Sequence, residues 1–412
     1  MFELMAGGVG IIIGAGIYVL VGEAAQEAGA AVWLSFVLAG TLSALTALSY
    51  CELAAMFPAA AAEYEYTRQA MPERLAFLVG WVMNAGLAVA AGTVALGFGR
   101  YAGAFVDVAP RWPALALLVA VVLIALTGIG RSARVMLVLA IIQVGGLAAV
   151  IISGVDHVGD VSLTAGATVG GTLGGAALVF FAFIGFDEVA TLAEETRNPG
   201  EDVPRALLGA LGLSTLLYLA VAVVAVSVLG ASDLAASERP LADVLGHALG
   251  SGADDAISAV ALASTTNTTL LAITAGSRMT YGMAVRGAMP PVFAHVWGRT
   301  GVPLRALVAL AAVAGAFALI GDISLIASVT DVAIYLVFLA VNATVVLLRR
   351  QRPVAPRPFR APLAVGWVPV LPVLGLGATV LMMSQLDPRS WLLAAALVAA
   401  GAVLLAVRPG PR

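Results

Sequence analysis

Lysine is absent from this sequence of 412 residues, so all 21 basic residues are arginine. The phosphate-gripping motif GxxxxGK(S/T) is therefore missing, and no soluble domain is left to hold one. Cysteine is reduced to Cys51, which excludes a disulfide framework and a CxxC zinc site. The three histidines, His157, His247 and His295, all fall in expected loops, which speaks against a histidine metal centre among the apolar segments. Neither HExxH nor GxSxG occurs. The chain is read as a non-enzyme with no metal, no cofactor and no nucleic-acid partner. Charge is scarce too: 11% of residues are charged, against 61% hydrophobic, with a formal net charge of −3. A soluble surface on a chain of this length needs more charge than that.

What fills the sequence instead is apolar runs, and the mean hydropathy is +1.03. About 20 apolar residues suffice to cross the hydrocarbon core of a bilayer as a helix. The runs are continuous and lack the period-2 alternation of a barrel strand, so helices are expected. About twelve spans can be drawn: 4–22, 31–57, 74–106, 113–129, 134–154, 171–195, 205–230, 253–284, 302–320, 323–348, 364–384 and 390–407. The first run has no basic leader and so does not read as a signal peptide. Because the sequence starts almost inside that span, a short cytoplasmic head before it is an expectation.

The arginines orient the spans. With the N-terminus inside, seventeen of the 21 fall on the inner side, and only Arg100, Arg111, Arg239 and Arg389 fall outside. The positive-inside rule therefore places both termini in the cytoplasm. The longest outer loop is expected at about 231–252.

Two spans carry interruptions. In the first, GGVGIIIGAGIYVL crowds Gly8, Gly10, Gly14 and Gly16 into one short stretch. Small residues let membrane helices pack closely, which is one reading. The other is a helix that unwinds at Gly14-Ala15-Gly16, turning free backbone amides toward a carboxylate. In the sixth span, Gly185 is followed at once by Asp187 and Glu188. Acids at membrane depth are costly and face water or an ion path. Either this span ends early, or it is discontinuous around Phe183–Phe186. Interruptions in spans one and six are the pairing expected of five helices repeated with inverted topology, with a substrate held between them near the midplane.

These residues also resemble a known family. IIIGAGIYVL is similar to the first helix of the amino acid–polyamine–organocation superfamily. FFAFIGFDEVATLAEETRNPGEDVPRAL resembles helix six and the loop after it in its amino acid permeases, including the cationic amino acid transporter branch. SYCELAAMFPAAAAEYEYTRQAM, GSRMTYGMAVRGAMPP and LLRRQRPVAPRPFRAPL resemble helix two, the end of helix eight and the loop after helix ten, in the family's order. The resemblance implies an all-α integral membrane protein of the LeuT-like fold. Its core would be a 5+5 inverted repeat over 1–350 (about 1–155 and 165–350), with helices one and six discontinuous. A loop and two further helices would follow over 351–412. It implies that amides at Gly14, Ala15 and Gly16 hold a substrate carboxylate, and that carbonyls at Ala182, Phe183 and Ile184 hold its amine. Phe183, Phe186 and Asp187 become gate or pocket candidates; plain aromatic packing is the alternative for the two phenylalanines. Thr265 and Thr268 are chosen from the polar run Ser264–Thr269 as ion-site candidates. Glu194, Glu195 and Arg278 become inner-gate candidates, with Glu52 or Glu195 as a partner for Arg278.

The sequence also departs from the family. Several relatives carry a lysine in helix five that is tied to proton coupling, and here Gln143 stands in its place. A glutamine can hydrogen-bond an unwound helix but cannot exchange a proton. The acid that many cationic permeases show after Gly-Trp in helix three is replaced by Gly86. Asp331, deep in the tenth span, is a second coupling candidate, since burial drives a carboxylate toward its neutral form.

The function expected is a secondary or facilitative transporter of amino acids in the cell membrane, working by alternating access, with H+ or another ion as a coupling partner. A polyamine or other organic-amine carrier is the first alternative, and a substrate sensor on the same fold is the second.

Overall fold

The computed structural model describes residues 2–59, 62–191, 196, 198–250, 252–298 and 300–407. The apolar runs fold as helices almost throughout. They are α1 (Phe2–Ile12), α2 (Ala15–Ala28), α3 (Val32–Met56), α4 (Ala62–Arg68), α5 (Glu73–Ala102), α6 (Arg111–Leu126), α7 (Ile129–Gly154) and α8 (Val169–Val179). Then come α9 (Phe186–Thr191), α10 (Pro199–Ala236), α11 (Pro240–Leu249), α12 (Ala253–Val285), α13 (Leu304–Ala318), α14 (Ile323–Gln351), α15 (Val370–Met383) and α16 (Pro388–Val407). Among the described residues, eight helical stretches are long and apolar enough to cross a membrane, and α6, α13 and α15 are shorter apolar helices.

Local chemistry sets several boundaries. Thr168 caps α8 by accepting from Gly171 N–H at 3.0 Å, and Asp322 caps α14 by accepting from Leu325 N–H at 3.0 Å. Such caps satisfy amides that a helix start leaves without a partner. The expected span 364–384 begins late, at Val370. A two-residue strand pair, Ala364–Val365 with Val368–Pro369, occupies its first residues. Gly366, at φ 63°, and Pro369 favour this turn over a helical start. The expected outer loop at 231–252 contains α11, whose Leu241, Ala242 and Val244 are buried.

α5 is a pillar packed against α12, α14, α13 and α6. A second group is built from α3 on α10, α2 on α8 and α1 on α10, and α14 touches both groups. The two interrupted spans, α1–α2 and α8–α9, belong to the second group, and α2 also touches α5 and α12 of the first.

Candidate functional site

The first span is broken. α1 stops at Ile12, Ile13 and Gly14 leave the helix, and α2 starts at Ala15. The break thus lies slightly upstream of the expected Gly14-Ala15-Gly16, with Ala15 and Gly16 already in the first turn of α2. An unwound turn frees carbonyls that must find donors in an apolar interior. Two side chains supply them, Gln143 and Tyr218, while Thr268 receives a freed amide. Gln143 on α7 donates through Nε2 to Gly10 O at 3.0 Å and, more closely, to Ile13 O. Its Oε1 accepts from Ser264 Oγ on α12 at 3.1 Å. Thr268, one turn further along α12, accepts from Ala15 N–H at 2.9 Å. Tyr218 on α10 brings its hydroxyl within 2.6 Å of Ile12 O and 2.9 Å of Ala182 O. A hydroxyl has one proton, so these two carbonyls share it.

The sixth span is broken as well. α8 ends at Val179, a tight 3-10 turn covers Phe180–Phe183, and α9 begins at Phe186. Gly185 sits at φ 112°, a conformation that disfavours any side chain. Its amide is caught by Asp187 Oδ1 at 3.1 Å. The two breaks touch: a Cβ on Gly16 would lie 2.4 Å from Ala182 Cα. Glycine at 16 is what allows the two backbones to come this close.

The expected residues therefore divide. Gly14, Ala15, Gly16, Ala182, Gln143 and Thr268 come together in one place. Two of the three amides are engaged within the protein, since Gly14 N–H donates to Ile12 O at 2.8 Å and Ala15 N–H to Thr268. Thr265 only bonds back to Ala261 O and Leu262 O on its own helix. Phe183 packs edge-on against Tyr218 (5.3 Å between ring centroids) and Phe186 against Tyr50 (5.6 Å), both fully buried. Ile184 is half-buried beside them, its N–H donating to Phe181 O at 3.2 Å. Asp331 is fully buried on α14, and neither of its oxygens has a donor among the described residues.

Near the C-terminal end of α14, one of the two partners expected for Arg278 is corrected. Glu52 belongs instead to Arg349, which donates to it from Nε at 3.0 Å and Nη2 at 2.5 Å. Arg357 Nε (3.2 Å) and Ala361 N–H (2.9 Å) complete its shell. The reason is placement: Glu52 lies in the last turns of α3, against Arg349 near the C-terminal end of α14. Arg278 is exposed and lines a cavity of about 210 Å³ with Thr274, Tyr281 and Pro303. Glu194 and Glu195 lie outside the described residues. On α4, Glu65 bonds Arg68 (2.7 Å) and Arg286 (2.5 Å). Burial opposes its charge, but Arg68, Gln69 and Arg286 outweigh that and hold the carboxyl below its ordinary range.

Sequence reasoning missed Tyr218. A tyrosine inside an apolar span needs an acceptor for its hydroxyl, and that was the available signal for Tyr218.

Comparison with known proteins fits this geometry. The family described as amino acid permease matches residues 1–404. The chain is 28% identical to the methylthioribose transporter of Bacillus subtilis (95% of this chain, 88% of that protein). It is 28% identical to the branched-chain amino acid permease BcaP of the same organism (91% of this chain, 85% of that protein). It is 31% identical to the vacuolar cationic amino acid transporter 4 of Arabidopsis thaliana over 85% of this chain, spanning 63% of that longer protein.

Proposed function

For a chain that belongs to the amino acid permease family, we propose secondary or facilitative transport of amino acids across the cell membrane by alternating access. The substrate is held between the breaks of the first and sixth spans. The observation that carries this reading is the convergence of Gln143, Thr268 and Tyr218 on the two breaks. Gln143 and Tyr218 hold the unwound carbonyls with uncharged donors, Thr268 holds the Ala15 amide, and the Tyr218 hydroxyl links both breaks.

In this reading a substrate amine displaces the Tyr218 hydroxyl from Ile12 O and Ala182 O, carbonyls that an ammonium can engage more strongly. The carboxylate sits at the start of α2, where first-turn amides and the helix dipole favour an anion. It takes the Ala15 amide from Thr268, whose hydroxyl then donates to it instead. The 5+5 inverted repeat over 1–350 is supported by matching interruptions in spans one and six. About twelve crossings are supported when Ala15–Met56 is taken as two helices and the three shorter apolar helices are added. The seventeen inner arginines support cytoplasmic termini.

A second reading has its own support. One relative is named for methylthioribose, a solute outside the amino acids, and the Gly14 and Ala15 amides already have acceptors. Uptake into proteoliposomes of labelled leucine, arginine, putrescine and methylthioribose separates the readings. Saturable uptake of an amino acid supports the first. Saturable uptake of putrescine or methylthioribose alone overturns it.

A further inference from the structure

Beneath the second break lies a buried acidic compartment that the substrate site does not use. Glu63 on α4 and Asp187 on α9 are each 1% exposed, and Glu188 beside them is half-buried. Tyr50 on α3 donates to Glu63 Oε1 at 3.2 Å, while Glu63 Oε2 has no donor among the described residues. Asp187 acts electrostatically on Glu63, and both act on Glu188. The other groups facing the set are Tyr66 on α4, Cys51 on α3 beside Tyr66, and Arg278 reaching Glu188 from α12. The Tyr66 hydroxyl is fully buried beside Glu63 and has no partner among the described residues.

Among the described residues, no basic side chain is paired with Glu63, and its near neighbour Asp187 is another acid. An uncompensated buried carboxylate is less favourable than the carboxylic acid, so Glu63 retains a proton. No grouping of His, Cys, Asp or Glu among the described residues is arranged to hold a metal. Burial first, and Asp187 second, raise the Glu63 carboxyl to about 8.

We propose that Glu63, beside Asp187, forms a proton-binding site at the cytoplasmic end of the transport path and supplies the exchangeable proton that Gln143 cannot. This rests on the transport reading above. With the inner end closed and dry, Glu63 holds the proton. When that end opens, water enters and stabilises the carboxylate. The O–H bond then breaks, the electron pair stays on Glu63 and the proton passes to cytosolic water. Arg278, approaching from the water side, stabilises the charge left behind, and closing again requires a new proton.

The test uses the full chain in proteoliposomes, with Glu63→Gln and, as a control on the same helix, Glu65→Gln. An acid-outside gradient is expected to drive accumulation of labelled leucine or arginine in the parent and in Glu65→Gln. Glu63→Gln should lose about tenfold of that accumulation, a typical size for a coupling effect, while keeping gradient-free counterflow. Accumulation indifferent to the gradient in the parent, or still driven by it in Glu63→Gln, overturns the proposal. Infrared titration of the purified protein needs no substrate. A carboxylic-acid carbonyl band that titrates across neutral to alkaline pH should be present in the parent and lost in Glu63→Gln. The same band persisting in Glu63→Gln overturns the proposal. That band in a protein that moves no amino acid would sink the transport reading and leave the proton site standing.

Discussion

Glu52 and Glu63 stand on either side of the turn between α3 and α4, and each is 1% exposed. Glu52 is surrounded by Arg349, Arg357 and the Ala361 amide, whereas Glu63 has the Tyr50 hydroxyl and faces further acids. Equal burial therefore hides opposite chemistry. At Glu52 the two arginines and the amide fasten α3 to the C-terminal end of α14 and the loop after it. A carboxyl without such donors is held best as the neutral acid, so it can exchange a proton.

The sharpest way to break this comparison is to remove a partner from the paired site. Arg349→Met leaves a buried carboxylate short of its main counter-charge, which destabilises by about 3–5 kcal/mol. A large drop in the melting temperature of the detergent-purified protein is expected. The double variant Glu52→Gln/Arg349→Met should lose less, because no uncompensated charge remains. If the double variant is as unstable as the single, the pair acts through packing and the contrast with Glu63 fails.

Next in size is Gly16→Ala. The added Cβ would meet Ala182 backbone at 2.4 Å, so one of the two breaks must move. Overpacking of this kind typically costs about 1–3 kcal/mol, and here the strain falls on the proposed substrate site. Saturable uptake should be lost while the protein still purifies as a monodisperse species. Normal uptake would show that the two breaks need not touch.

Glu63 predicts a pH dependence of stability with a definite sign. Its carboxyl is raised from an ordinary 4.5 to about 8 in the folded chain. The stability it contributes is complete below the unfolded value and is lost as pH rises through about 8. Melting temperature should fall between those limits, and Glu63→Gln should flatten the fall. Glu65 is shifted the other way by its arginines, so it adds nothing to that decline.

The apolar runs and the glycines made the helices and both breaks legible, because lipid leaves the backbone few other choices. Gln143 was legible too, as a polar residue in an otherwise apolar stretch. Tyr218 and Glu63 were not. Their roles depend on which carbonyl or acid a distant helix brings beside them, and spacing along one helix carries no such information. The Glu52–Arg349 pair was hidden for the same reason, since nearly three hundred residues separate its members in sequence. The late start of α15 was missed because Gly366 and Pro369 sit inside a run that hydropathy alone reads as helix.

The smallest effect tests the finest distinction, between two threonines on one helix. Thr268 accepts from Ala15 N–H, but Thr265 returns its hydroxyl to Ala261 O and Leu262 O. Valine keeps the shape of threonine and removes only the hydroxyl. At Thr265 nothing outside the helix loses a partner, so transport should be unchanged. At Thr268 the break loses one hydrogen bond, worth about 0.5–1.5 kcal/mol. That corresponds to a rise in the transport KM of roughly two- to tenfold, at similar maximal rate, if the hydroxyl also contacts bound substrate. Equal KM values for Thr265→Val and Thr268→Val would mean that the contact with Ala15 only shapes the helix, and the substrate then engages the first break without help from α12.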